Sequence, residues 1–186
     1  NKFSGKPYLV LCGMGGSSLA PEVIAATYKK DIFILDSTDP NYVAHSITDL
    51  SKTIVLISSK SGSTIETTSQ RLFFEGRFKD SGIDPLNHIV FCTDPNSPLD
   101  QDVRNLGYET INADPNVGGR FSALSAFGLT PAALLGIPIV NIFGFNDHSR
   151  YLPDRRDLNR CFPGLKNGSL ASQLAYKFMQ EIVLKS

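Results

Sequence analysis

At 186 residues, with 41% hydrophobic and 19% charged residues, the chain has room for one domain, with at most a small appendage, and a sizeable core. Lys+Arg and Asp+Glu balance at 18 each, which argues against a general binder of nucleic acid or of anionic membranes. An anionic ligand therefore has to be held by local geometry, not by a global field.

Read in chain order, short apolar runs at 8–12, 32–36, 53–58, 88–93 and 108–111 predict strands. Several are apolar on successive residues, the pattern of parallel strands covered on both faces. Between them, Pro21 and Glu22 suit the first turn of a helix leading into 23–28. Ser63 with Glu66 forms a capping-box pattern, after which Ile65, Leu72 and Phe73 fall on one helical face. The βαβα order implies an α/β fold, three layers α/β/α with a mostly parallel, flavodoxin-like sheet and right-handed crossovers. Ligands of such sheets sit outside the carboxyl ends of the strands.

The three cysteines, Cys12, Cys92 and Cys161, have no metal-ligand spacing, and the first two lie in apolar runs as buried thiols. The opening residues lack a secretory pattern, and no apolar run approaches the roughly 18 residues of a membrane span. A reducing cytoplasm is the expected compartment.

Two of the strands end in Gly/Ser-rich turns. The first, residues 13–18 (GMGGSS), lets backbone approach a ligand and offers unpaired N–H groups of the following helix. It also approximates a dinucleotide fingerprint, with Asp36 where a ribose-binding acid would stand, although Ser18 replaces the third glycine. A purely structural tight turn fits it equally. The other, residues 58–64 (SSKSGST), gathers hydroxyls and a glycine at a helix start. A phosphate monoester wants several short donors converging on three oxygens, and such a nest supplies them. A dinucleotide site has no need of this second nest.

With these motifs in order, residues 8–136 resemble the first sugar-isomerase (SIS) domain of glucose-6-phosphate isomerases, particularly the form fused to transaldolase. The stretches GMGGSSLAPEV, SSKSGSTIET and NVGGRFSALSAFGLTPAALLG carry the resemblance. It implies an SIS-type sheet and a hexose 6-phosphate ligand. By the same resemblance Gly16 and Ser17 line the sugar pocket, and Ser59, Ser61 and Thr64, with the Lys60 and Gly62 backbone, hold the phosphate. Arg120, after Gly119, would sit near the reacting carbons, where a guanidinium can stabilise an enediolate oxygen. The family's proton-transfer glutamate, ring-opening histidine and further lysine come from sequence beyond this domain, and nothing here matches them. His45, His88 and His148 are isolated, as surface or cap residues are.

Residues 138–186 resemble a different family, the succinylglutamate desuccinylase/aspartoacylase amidohydrolases. Residues 148–164 (HSRYLPDRRDLNRCFPG) carry that likeness, and Leu170, Leu174, Phe178 and Ile182 then recur every four residues, as in a closing helix. The resemblance assigns Asn159 and Arg160 to a substrate carboxylate, with Asp157 orienting the arginines. The family's zinc site uses a His-x-x-Glu pair, which occurs nowhere in this chain, so no metal is expected. Arg150, Arg155, Arg156 and Arg160 have no aromatic platform of the kind nucleic-acid binding would use.

The resemblances meet near 136–138 without a polar linker. The expected organisation is a sugar-phosphate-binding domain over 1–136 and a strand-loop-helix segment over 137–186 on the same sheet, as in an engineered or recombined chimera. A strand is expected over 137–143, a long loop over 146–169 and a helix over 170–184. Three functions stay open: a hexose 6-phosphate binding domain without complete isomerase machinery, a remnant zinc deacylase, or a non-enzymatic structural chimera. No cofactor is expected; pairing into a homodimer, as in the isomerases, would add no new base.

Overall fold

The computed structural model describes residue 3 and residues 5–47 and 49–137, which fall in the first of two compact units, ending at Ile137. Beyond Ile137, the expected strand, loop and closing helix lie outside the described residues. So do Asp157, Asn159, Arg160, His148 and Cys161.

Among the described residues, five strands form the sheet: β1 (Tyr8–Gly13), β2 (Phe33–Leu35), β3 (Thr53–Ser58), β4 (Ile89–Thr93) and β5 (Glu109–Asn112). Their order is β2-β1-β3-β4-β5, and every neighbouring pair is parallel. This is the flavodoxin-like arrangement read from the sequence. Five α-helices accompany them among the described residues: α1 (Gly16–Thr27), α2 (Pro40–His45), α3 (Ile65–Asp80), α4 (Pro98–Asn105) and α5 (Ala126–Leu134). Among the described residues no helix is long and apolar enough to cross a membrane.

The strands read as unbroken apolar runs because successive side chains enter different cores. Val10 and Cys12 of β1 join Val55, Ile57 and Phe91 beneath Phe74 and Phe78 of α3. Leu9 and Leu11 join Ile54, Leu56 and Val90 against Phe127 of α5. Period-two alternation across a sheet with two covered faces requires this division. Phe74 and Phe78 are fully buried, and each contributes about 1.5–3 kcal/mol through removal from water. Cys12 and Cys92 are free thiols, one in each core.

Several local expectations are corrected. Helix α1 begins at Gly16, and Pro21 lies inside it instead of opening it. The glycine turn therefore runs straight into the helix. The Ser63–Glu66 capping box does not form: Thr64 is the N-cap of α3, with no side-chain cap, and the Ser63 hydroxyl donates to Ser61 Oγ at 3.0 Å. Ile65 and Leu72 are exposed, at 75% and 60%, and the buried face carries Thr67, Gln70, Arg71, Phe74, Glu75 and Phe78. Gln70 is buried because its amide donates to the Leu35 and Ser37 carbonyls at 3.2 and 3.0 Å, fastening α3 to the end of β2. His45 is exposed in the last turn of α2, as expected. His88 is buried, with Nδ1 2.8 Å from the Thr53 carbonyl and its ring 4.9 Å from that of Phe78.

Candidate functional site

In this strand order the chain leaves β1 toward one edge of the sheet and β3 toward the other. The crossovers diverge, and a crevice opens between the two carboxyl ends. Gly13 and Ser58, the last residues of β1 and β3, are register partners at that point. A cleft of about 380 Å³ lies there, bordered by Met14, Gly16 and Ser17 from the first turn and by Ser58, Ser59, Lys60, Ser61, Thr64 and Thr67 from the second. Asp94, just after β4, and Gly119 complete it.

The two serine-bearing turns thus share one cleft. Ser59 is buried, and its Oγ accepts the Gly62 N–H at 3.2 Å while lying 3.5 Å from Thr64 Oγ1. Ser61 is exposed, and its Oγ accepts both the N–H and the hydroxyl of Ser63, which leaves its own hydrogen for an outside acceptor. Gly62 stands behind the cleft wall with φ +70°, and a β-carbon there would lie 2.5 Å from Leu99 Cβ. Only glycine combines that backbone with that space.

Helix capping separates this region from the rest. Asp39, Ser97 and Ser125 cap α2, α4 and α5 with side-chain oxygens. Neither α1 nor α3, whose first turns border the cleft, has a side-chain cap. In α1 the Ser17 and Ser18 N–H groups turn back to the Met14 and Gly15 carbonyls at 3.3 and 3.1 Å. In α3 the N–H groups of the first turn have no intrahelical acceptor, and the positive end of the helix faces the cleft. Glu66 is the one acidic residue in either first turn and does not border the cleft.

The third motif folds onto the first. Residues Gly119–Leu124 form a 3-10 turn, and the Ser122 hydroxyl lies 2.6 Å from the Gly119 carbonyl and 3.2 Å from that of Gly16. Gly16 has no room for a side chain, because a β-carbon there would collide with the Gly119 carbonyl. Arg120 is exposed beside the cleft and does not border it.

The Lys60 side chain turns away from the hydroxyl nest. Its Nζ sits 2.6 Å from Asp94 Oδ2, 3.3 Å from the Pro115 carbonyl and 3.5 Å from that of Asp114, so it ties the loop after β3 to those after β4 and β5. The sequence passes over Thr67 and Asp94, whereas Met14 and Ser58 lie within the two quoted turns without an assigned role. Thr67 follows Thr64 by three residues, about one helical turn, and Asp94 directly follows β4, while Ser58 is the last residue of β3. Those positions were the available signal.

The phosphoglucose isomerase family model matches residues 5–152, and the succinylglutamate desuccinylase/aspartoacylase catalytic domain model matches residues 123–184. The join expected near 136–138 falls where the matches overlap. A glucose-6-phosphate isomerase of Cyanothece sp. is 41% identical over 141 residues, which cover 70% of this chain and 27% of the relative. A glucose-6-phosphate isomerase structure from Chlamydia trachomatis aligns with TM-score 0.64 and 31% identity, covering 74% of this chain and 27% of that one. A hypothetical protein of Thermus thermophilus aligns with TM-score 0.69 and 29% identity, covering 94% of this chain and 41% of that one. The chain thus spans about a quarter of the length of the first curated relative it matches.

Proposed function

Since the chain belongs to the phosphoglucose isomerase family, we propose that residues 1–136 are a sugar-phosphate-binding domain whose cleft takes a hexose 6-phosphate. The observation that carries this reading is the uncapped start of α3 in one cleft with Ser59, Ser61 and Thr64. A phosphate monoester dianion there meets amide hydrogens, hydroxyl donors and the positive end of a helix, a combination that binds anions in a chain without net charge. Gly16 and Ser17 border the space left for the sugar, and the bare Gly16 backbone lets it approach closely. In this reading Arg120, exposed next to the bordering Gly119, would stabilise an enediolate oxygen at the reacting carbons. The amides of Lys60 and its neighbours support the phosphate, while Gly62 N–H holds Ser59 in place.

Isomerisation needs a base to carry a proton between adjacent carbons. In the family that base is a glutamate from sequence beyond this domain, and no residue of 8–136 matches it. We therefore assign the domain binding without turnover. Calorimetric titration with glucose 6-phosphate and 6-phosphogluconate, beside an isomerase assay, tests this. Saturable binding with no turnover is expected; no binding of either sugar phosphate would sink the reading.

The second family match supports a second reading of residues 137–186 as a fragment of an amidohydrolase joined to the isomerase portion, with Asp157, Asn159 and Arg160 as its carboxylate-binding remnant. Hydrolysis of an N-acyl amino acid dependent on stoichiometric zinc would make that fragment functional. Binding of neither zinc nor sugar phosphate by a folded chain would leave the purely structural chimera.

A further inference from the structure

We propose that Lys60 is a positioning residue of the cleft: paired with Asp94, its side chain holds in place the segment that carries Gly119 and Arg120, and it does not bind the ligand. This rests on the sugar-phosphate reading of the cleft and deepens it.

A lysine in a phosphate loop ordinarily acts as a point charge for the phosphate. Lys60 is placed otherwise. Its ammonium has three hydrogens and three protein acceptors: Asp94 Oδ2 at 2.6 Å, the Pro115 carbonyl at 3.3 Å and the Asp114 carbonyl at 3.5 Å. The Lys60 and Asp94 side chains are 29% and 18% exposed, so salt screens their attraction less than that of a surface pair. The base of the side chain is fixed as well as its tip. The Asp94 N–H and the Thr93 hydroxyl both donate to the Lys60 carbonyl, at 3.3 and 3.4 Å.

The carbonyls at the tip belong to the start of the third motif. As β5 ends, the Ala113 N–H donates to the Thr93 carbonyl at 2.8 Å. The chain then turns on Asp114, whose carboxylate accepts the Asn116 N–H at 2.8 Å and whose carbonyl accepts the Val117 N–H at 3.1 Å. Two exposed glycines follow, Gly118 and Gly119, and glycine backbone holds little direction of its own. The segment is therefore located from its two ends. Lys60 grips the turn at one end, and the Gly119 carbonyl is seated against Gly16 at the other. Arg120 comes next in the chain and takes its place from both.

The chain contains no tryptophan, so Phe121→Trp puts a single fluorescent reporter beside Arg120, at an exposed side chain. Time-resolved anisotropy of the full, unliganded chain separates nanosecond motion of the segment from overall tumbling. Read well below the unfolding transition, it is not moved by a loss of stability alone. Lys60→Met at least about doubles the fast share of the decay, by opening the segment locally. Lys60→Arg, which keeps a charge opposite Asp94, restores it. Without the reporter, Lys60→Met binds glucose 6-phosphate about tenfold more weakly than the unaltered protein, within the range for groups coupled in one network, and Lys60→Arg recovers most of that loss. Should Lys60→Met fail to fold, Asp94→Asn raises the fast share in the same direction by a smaller amount.

An unchanged decay in Lys60→Met would overturn the proposal, and so would a changed decay with unchanged affinity. Tighter binding by Asp94→Asn would overturn it too, because an ammonium released from its partner would then be serving the ligand. If the unaltered protein binds no glucose 6-phosphate, the reading of the cleft fails, and the decay of the unliganded proteins still decides whether Lys60 holds the segment.

Discussion

The missing side chain of Gly16 is where the Gly119 carbonyl sits, so two glycines far apart in sequence share one van der Waals contact at the cleft. Gly119 itself has open space where its β-carbon would be. The pair is therefore asymmetric under substitution. Gly16→Ala must push the Gly119–Leu124 turn away from α1, at about 1–3 kcal/mol of stability for forced repacking, and it weakens glucose 6-phosphate binding with it. Gly119→Ala stays within about 0.5 kcal/mol of the unaltered protein. Urea unfolding of both variants measures the contrast.

Ser59 and Thr64 are predicted to separate binding from folding. The Ser59→Ala/Thr64→Ala double variant removes two hydroxyls from the nest and leaves the Gly62 N–H without its acceptor. Glucose 6-phosphate affinity falls by at least about tenfold, since hydrogen bonds to a charged group are among the strong ones, while stability drops by about 1 kcal/mol. Calorimetry and thermal unfolding on the same sample distinguish the two effects. Unchanged affinity in the double variant would remove the hydroxyl nest from the site.

Alkaline pH tests the two buried thiols. Burial raises the pKa of Cys12 far above its usual range, and burial, opposed by a Thr130 hydrogen bond, pushes Cys92 up to about 12. Unfolded thiols ionise near pH 9 and the folded ones do not, so above that pH the unfolded chain holds fewer protons. Stability is intact below about pH 9 and falls as pH rises toward the folded values, by about 1.4 kcal/mol per pH unit for each thiol. A Cys12→Ala/Cys92→Ala protein loses less stability than the parent between about pH 8 and about pH 11 in urea titrations, whatever its starting value.

Arg71 lies buried on α3 behind the loop that bears Ser59, bonded to Glu75 at 2.8 Å and to Asp102 at 2.6 Å, with Phe91 below its guanidinium at 5.5 Å. Its two partners differ in environment. Glu75 is buried, whereas the Asp102 side chain is 55% exposed. Arg71→Met leaves Glu75 uncompensated and costs about 3–5 kcal/mol. Asp102→Asn costs less than about 1 kcal/mol, because water replaces the lost partner. Chemical denaturation midpoints of the two variants check the ratio.

The sheet was legible because parallel central strands announce themselves: β1 and β3 have no polar interruption, and their ends mark the turns that form the cleft. That the serine-rich turn after β3 borders the cleft was legible for the same reason, since a run of serines directly after such a strand has one place to go. Helix starts were not. Pro21 resembles an opening residue, yet the glycine turn before it already holds helical backbone. The buried face of α3 was hidden because Gln70, Arg71 and Glu75 are polar, and their burial depends on partners in β2 and α4 that periodicity does not see. Helix α4 did carry its signal, with Ser97 as cap and Pro98 in its first turn, but it is short and mostly polar.

The bare beginnings of α1 and α3 give an occupant of the cleft a second role. Three other helices close their own ends with a side chain borrowed from the preceding loop; at α3 that closing piece would arrive from solution. An anion seated there is a detachable part of the architecture, and each molecule captured adds to the work of unfolding the domain in proportion to how tightly it is held.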